Sequence, residues 1–307
     1  MIDHLYGVVG CPLGHSLSPL AHNAGFQELG IPAAYLRWEI APERLPAFLD
    51  SMRLLDIRGC SVTIPHKTTV LPLLDEISDK AAAVGAVNTL YWQGQALCGE
   101  NTDITGFLAP LTQTPLEAMD VLLLGAGGAA RAVAAGLAQR RTRRVFAATP
   151  SNRTHLPLAE HFGLAPVPWE ERHAVPAHLV VNTTPLGMCG KDEGDTPYDF
   201  SRAARPPDNT PRMAYDIVYN PLETRFLREA RLDGRQCVSG LEMFFSQADA
   251  QFRLWTGQGL PESVHGLLKR HFDKISSSTG IEYSPPPTPK VRRISASGKT
   301  LSASCLS

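Results

Sequence analysis

Two groups of residues in this 307-residue sequence could do chemistry. The first lies in VLLLGAGGAAR, where Gly125, Gly127 and Ala130 form a G-x-G-x-x-A arrangement between an apolar run and a helix-forming one. There Gly125 permits a tight turn, Gly127 lets the backbone approach a pyrophosphate, and small Ala130 lets helix and strand pack closely. The free N–H groups at the start of the helix then face the phosphates. The second group is scattered: Lys67 ends SVTIPHK, Asn88 lies in GAVNTL, and Asn101, Thr102 and Asp103 lie in GENTD. A lysine beside a carboxylate suits proton transfer at a carbonyl or an alcohol. The amine donates the proton and the carboxylate orients it and holds its charge. Spacing alone does not show that Lys67 and Asp103 touch.

The dinucleotide can be specified further. An NAD site carries an acidic residue roughly 20 positions after the glycine turn, but none occurs between Asp120 and Glu160. SNRT follows the second apolar run instead. Arg153 can pair with a 2′-phosphate, and Asn152 and Thr154 can hydrogen-bond it. The expected cofactor is NADP.

The elements around these residues alternate. HLYGVVG reads as a strand, SPLAHNAGFQELG as a helix capped by Ser18 with Leu20, Ala24 and Leu29 on its buried face, AAYLRWEI as a strand, APERLPAFLDSMRLL as a helix, and GCSVTI as a strand. This βαβ rhythm predicts an α/β domain with a parallel sheet. From about residue 105 a second series begins: DVLLLG, the helix AARAVAAGLAQR, then RRVFAAT, HLVVNTT and RMAYDIV, with ETRFLREARLDG as a helix ended by Gly234. That is the pattern of a doubly wound dinucleotide fold. In such sheets ligands bind beyond the C-terminal ends of the strands, where the polar clusters would converge. GLEMFFSQADAQFRLWTG is a strong helix, with Leu241, Phe244, Phe245, Ala248, Phe252 and Trp255 as apolar positions.

Bulk properties narrow the function. Hydrophobic residues make up 43% of the chain, charged residues 19%, and the net charge is −1, which argues against a nucleic-acid partner. No apolar run approaches a membrane span, and the N-terminus lacks a signal-peptide pattern. Six scattered cysteines form no C-x-x-C pair, so they are read as reduced thiols in a cytoplasmic protein. The histidines form no ligand pattern, and no metal is expected. His15 is read as shaping its loop, and HAVPAH (His173 to His178) as loop or helix surface. After about Ile275 the chain turns rich in serine and proline, and 275–307 reads as a disordered tail in which RRIS is plain solvated sequence.

Taken together, GHSLSP, VTIPHK, GAVNT, NTD, GAGGAAR, NRT, NTTPLGM, YDIVYNP and GLEMFFSQA resemble the shikimate dehydrogenase family of the aromatic amino-acid pathway, from about residue 5 to about residue 272. The resemblance implies reversible reduction of 3-dehydroshikimate to shikimate by NADPH. It implies a two-domain α/β architecture: an N-terminal substrate domain, 1–104, completed by 239–274, and a Rossmann-type NADP domain, 105–238, with the active site in the cleft between them. By motif, Lys67 and its partner Asp103 are catalytic. Ser16 and Ser18 hold the substrate carboxylate, and Thr63, Asn88, Tyr219 and Gln247 make further substrate contacts. Gly125, Ala126, Gly127, Gly128 and Ala129 form the pyrophosphate turn, Asn152, Arg153 and Thr154 the 2′-phosphate site, and Ile217 and Gly240 line the nicotinamide. Asp79 matches an acidic position near the cofactor.

The chain departs from the family's pattern at Ser61, where relatives carry Asn, and after NRT, where Leu156 and Pro157 replace a second basic residue. Two other readings stay open: an NAD-linked quinate/shikimate dehydrogenase and a non-catalytic NADP-binding sensor. A small-molecule substrate is expected, no nucleic acid and no membrane, with a homodimer left open.

Overall fold

The computed structural model describes residues 2–14, 16–190 and 192–278. The first part runs β1 (His4–Gly10), α1 (Ser18–Glu28), β2 (Ala33–Glu39), α2 (Leu45–Leu54), β3 (Ile57–Val62), α3 (His66–Thr69), β4 (Glu76–Ile77), α4 (Asp79–Val84), β5 (Thr89–Gln93), β6 (Ala96–Glu100) and α5 (Asp103–Leu108). Its six strands form one sheet in the order β2-β1-β3-β5-β6-β4. This sheet is mixed, which corrects the expected parallel one: β1 runs parallel to β2 and β3, but β5 is antiparallel to β3 and to β6. Its cause is local. Gly94, with φ +64°, and Gln95 close a tight connection between β5 and β6, and only antiparallel neighbours can be joined so briefly.

The second part runs β7 (Asp120–Leu124), α6 (Gly128–Gln139), β8 (Arg144–Ala148), α7 (Leu156–Phe162), β9 (Ala165–Pro166), β10 (Leu179–Asn182), β11 (Met213–Asp216), α8 (Arg225–Leu232) and β12 (Gln236–Val238). These strands form an all-parallel sheet in the order β12-β11-β10-β7-β8-β9. Every residue of β7, β10 and β11 is buried, as a sheet covered on both faces requires. The order reverses direction beside β7, so the crevice for a ligand lies past Leu124 and Asn182, which are register partners.

Two helices close the described chain, α9 (Gly240–Thr256) and α10 (Glu262–Ser278). Helix α9 returns to the first sheet: Phe252 and Ala248 pack with Tyr6, Val8 and Phe26, and the Trp255 indole N–H donates to the Leu90 carbonyl at 2.9 Å. Met243 of α9 and Phe107 of α5 meanwhile join the core of the parallel sheet. Helix α10 packs its Val264, Leu268 and Phe272 with Leu17 and Ala21. It continues four residues into the segment read as tail; 279–307, with RRIS, lies outside the described residues, as does His15.

Helix α1 differs from its expected form. Leu17, not Ser18, takes the capping position, no side chain caps it, and Ser18 is its first residue. Its deep face is Ala21, His22, Gly25 and Phe26, with Leu20, Ala24 and Leu29 packed at the margin. His173 and His178, expected at the surface, are buried: the Nε2 of His173 accepts from the Asp199 N–H at 3.1 Å, and the Nδ1 of His178 accepts from the Asp120 N–H at 3.1 Å.

Candidate active site

Lys67 lies in the short helix α3, just past the end of β3. Its backbone carbonyl accepts from the Val87 N–H at 2.7 Å, which ties it to the segment that carries Asn88. Its ammonium Nζ donates to Asp103 Oδ2 at 2.5 Å. The lysine and aspartate side chains are only 16% and 7% exposed, so the pair is held largely out of water, where such an interaction is strong. Asp103 begins α5, and its own N–H donates to Asn101 Oδ1 at 3.1 Å. Asn101 in turn donates to the Ala86 carbonyl at 2.9 Å. The GENTD residues therefore build the seat of the carboxylate.

Asn88 completes the seat. Its Nδ2 donates to Asp103 Oδ1 at 2.8 Å and to Thr102 Oγ1 at 2.9 Å, and approaches Gln247 Oε1 at 3.5 Å. Four residues named from the sequence (Lys67, Asn88, Asp103 and Gln247) thus meet at one point, from four different elements or loops. Gly106 lets α5 and α9 approach there: a Cβ on it would lie 2.7 Å from the Met243 carbonyl and 2.8 Å from Gln247 Cβ.

The serine loop leads into α1, and its Leu17 shares an apolar cluster with Leu241 and Phe244 of α9. The Ser18 N–H donates to Ser16 Oγ at 3.4 Å. Ser18 caps no helix end, and its buried side chain lies against the Tyr35 phenol. Tyr219 packs tilted against Phe244 with ring centroids 4.9 Å apart; burial raises its phenol pKa, against a backbone interaction at Leu17. It therefore reaches the same loop. Thr63 follows β3, its N–H donating to the Val9 carbonyl at 3.0 Å. Ser61, the departure from the family pattern, faces inward: its hydroxyl sits between Tyr35 and Gln251.

The glycine turn faces this cluster from the other sheet. Gly125 has φ +112°, and a Cβ on it would lie 2.5 Å from Thr183 Oγ1, so only glycine fits. Around Gly127 there is open space for a ligand. A Cβ on Gly128 would lie 3.2 Å from Lys67 Cδ. Helix α6 starts there and offers free N–H groups. The turn fits a dinucleotide pyrophosphate, and Ala126 and Ala129 add no bulk.

Where the sequence leads one to expect the 2′-phosphate, Arg153 and Thr154 donate their backbone N–H groups to Ser151 Oγ at 3.3 and 3.2 Å, and both residues are exposed. Asn152 is differently employed. With φ +53°, its Oδ1 accepts from the Trp169 N–H at 2.7 Å and its Nδ2 donates to Glu170 at 3.0 Å. Ile217 follows β11, with its N–H donating to the Asn182 carbonyl at 3.1 Å. A Cβ on Gly240 would lie 2.3 Å from the Ile217 carbonyl oxygen, so these two backbones touch. Asp79 is exposed at the start of α4, and no hydrogen bond or ion pair among the described residues joins it to the turn.

One buried carboxylate beneath this region was not singled out from the sequence. Asp216 accepts from Thr224, the Val218 N–H and Asn182, yet burial dominates and pushes its pKa up to about 7. Gln251 was also missed. It sits four positions after Gln247, beside the apolar stripe of α9, and a polar residue there is the signal that marks it. Among the described residues no cluster of His, Cys, Asp and Glu could hold a metal ion, and no helix is long and apolar enough to cross a membrane.

Residues 8–90 match the shikimate dehydrogenase substrate binding domain family. The chain is 54% identical over 262 residues to the shikimate dehydrogenase (NADP+) of Pelobacter propionicus, covering 85% of this chain and 93% of that protein. It is 49% identical over 257 residues to the protein of the same name from Oleidesulfovibrio alaskensis, covering 84% and 91%. Its fold superposes on the crystal structure of shikimate 5-dehydrogenase from Thermus thermophilus in complex with NADP(H) and shikimate. That match has a TM-score of 0.78 and 37% identity, covering 88% of this chain and all of that one.

Proposed function

The chain belongs to the shikimate dehydrogenase family, and from that premise we propose how its own residues divide the work. The reaction is the reversible NADP-dependent interconversion of 3-dehydroshikimate and shikimate, a step of the shikimate pathway. NADPH held at the glycine turn would supply the hydride, and NADP+ held there would accept it in reverse. Lys67 Nζ gives its proton to the substrate carbonyl oxygen as the carbon is reduced, and takes it back from the hydroxyl in the other direction. Asp103 keeps the ammonium aimed and offsets its charge. Ser16 and Ser18 hold the substrate carboxylate, and Thr63, Asn88, Tyr219 and Gln247 surround its ring.

Gly125 to Ala129 and the start of α6 hold the pyrophosphate, Arg153 and Thr154 with Asn152 the 2′-phosphate, and Ile217 and Gly240 the nicotinamide. We assign substrate to residues 1–104 closed by 239–274, and cofactor to 105–238. A cytoplasmic enzyme accords with the five described cysteines, all free. Light scattering decides between monomer and homodimer.

The observation that carries the assignment of roles is the meeting of Lys67, Asp103, Asn88 and Gln247 opposite Gly128. The test is an absorbance assay at the reduced-nicotinamide band, on shikimate and quinate with NADP and NAD, for the native protein and Lys67→Ala. Fast turnover is expected with shikimate and NADP, falling roughly 10²–10⁴-fold in the variant, with substrate affinity little changed. An unimpaired variant would remove Lys67 from its role.

A further inference from the structure

We propose that Gln251 is a positioning residue for the Lys67–Asp103 pair, acting through Thr89 and Asn88; this rests on the roles just proposed for that pair. Gln251 is 1% exposed on α9 and uses its whole amide. Nε2 donates to the Asn88 carbonyl at 3.1 Å and to Thr89 Oγ1 at 2.9 Å, and Oε1 accepts from Ser61 Oγ at 2.8 Å. The Ser61 hydroxyl in turn accepts from Tyr35 OH at 2.6 Å.

The direction of each bond is fixed by chemistry. A backbone carbonyl only accepts, so Nε2 must face Asn88 O, and Oε1 is left for Ser61. Thr89 Oγ1 receives a hydrogen from Gln251, so its own hydrogen goes to Asn88 Oδ1, at 2.7 Å. The Thr102 N–H only donates, and it too faces Asn88 Oδ1, at 2.8 Å. Asn88 therefore cannot flip, and Nδ2 must face Thr102 Oγ1 and Asp103 Oδ1. With Oδ1 so engaged, Asp103 presents Oδ2 to Lys67. Gln251 thus sets the rotamer of a carboxylate it does not touch.

The test uses the full chain. Gln251→Met keeps the shape and removes both polar ends, and Thr89→Val cuts the next link. Both, the double variant and Lys67→Ala are measured for kcat, for KM of shikimate and NADP, for NADP binding by fluorescence titration, and for thermal melting. The expectation is a fold-loss in kcat of roughly 10–100, the cost of misplacing a reacting group by about an ångström, with unchanged NADP binding. The double variant should be no slower than the slower single one, because both cut one chain of contacts. A folded Gln251→Met with native kcat, or losses that multiply in the double variant, overturns the proposal. If Gln251→Met does not fold, Gln251→Glu keeps the acceptor toward Ser61 while removing the donor, and is read the same way. If neither folds, Thr89→Val decides, and native kcat there overturns the proposal. An active Lys67→Ala would instead overturn the roles on which the proposal stands.

Discussion

Gly128 packs against the side chain of Lys67: a Cβ at Gly128 would stand 3.2 Å from Lys67 Cδ and 3.4 Å from its Cβ. The glycine turn and Lys67, the proposed proton donor, follow strands of different sheets and lie so close that no side chain fits between them without displacement. Glycine is needed here for proximity, since its φ is not in the left-handed range. An added methyl must move the lysine stem by a few tenths of an ångström, and the ammonium is held by Asp103 at the far end.

Gly128→Ala should therefore lower kcat by roughly tenfold or more, the effect of a small misplacement of a reacting group, while melting close to the native protein. Steady-state assays beside a thermal melt check this. Native kcat would show that the lysine stem yields freely.

On the proposed roles, recognition of the 2′-phosphate falls mainly to Arg153, because Asn152 is drawn to Glu170 and Trp169 and Leu156 and Pro157 supply no second charge. Arg153→Ala should weaken NADP binding by roughly 10–100-fold, the size of a lost charge-assisted hydrogen bond, and leave NAD binding unchanged. Asn152→Ala should weaken NADP binding much less. Calorimetric titration with both cofactors tests the order; equal losses in the two variants would reverse the reading of Asn152.

The residues that meet around Lys67 are legible in the sequence because they fall in short local patterns. The turn from Gly125 to Ala130 reads directly from strand, glycine spacing and helix. Lys67 and Asp103 stand out by type, but their 2.5 Å contact does not, because it joins residues 36 positions apart on separate elements. Gln251 was hidden for a stronger reason. Its partners Ser61 and Asn88 lie 190 and 163 positions away, and no local pattern encodes such a contact. The burial of His173 and His178 is likewise hidden, since it rests on partners 26 to 58 positions away: the Asp199 N–H for His173, and the Asp120 N–H with the Asp208 carboxylate for His178. The reversed strand β5 is masked in the sequence, because the short Gly94–Gln95 connection sits within an otherwise parallel βαβ rhythm.

His22 gives the protein an acid-sensitive core. Its ring is fully buried and stacks on Tyr35 with centroids 4.4 Å apart, and burial, only partly offset by the Gln251 side chain, lowers its pKa to about 3. In the unfolded chain a histidine takes up a proton near pH ~6.5. Between those two pH values the unfolded state binds the extra proton, so stability falls as the pH drops through that window. Each tenfold difference in proton affinity is worth about 1.4 kcal/mol, so the loss approaches several kcal/mol by pH ~3. Urea titrations at pH 7 and pH 4 should show the native protein losing stability that His22→Phe retains. Parallel losses in the two proteins would mean that His22 is not the sensitive group.

Asp216 should act in the opposite sense. It joins the ends of two strands: Asn182, its register partner on β10, donates to Oδ1 at 3.0 Å, the Val218 N–H donates to the same oxygen at 3.0 Å, and Thr224 donates to Oδ2 at 2.6 Å. Those three donors favour the carboxylate, but burial outweighs them and raises the pKa to about 7. In the unfolded chain an aspartate ionises near pH ~3.9. From there to about pH 7 the folded state holds a proton that the unfolded state has lost, so stability falls as pH rises across the window and levels off above it. Folding thus raises the proton affinity of this carboxyl about a thousandfold, which corresponds to about 4 kcal/mol. Asp216→Asn cannot ionise and should lack this slope, whatever its absolute stability. Urea titrations of both proteins at pH 4.5, 6 and 7.5 measure the difference. The gap should move steadily in favour of the variant as pH rises, and a gap that stays constant would place the Asp216 carboxylate in its ordinary range.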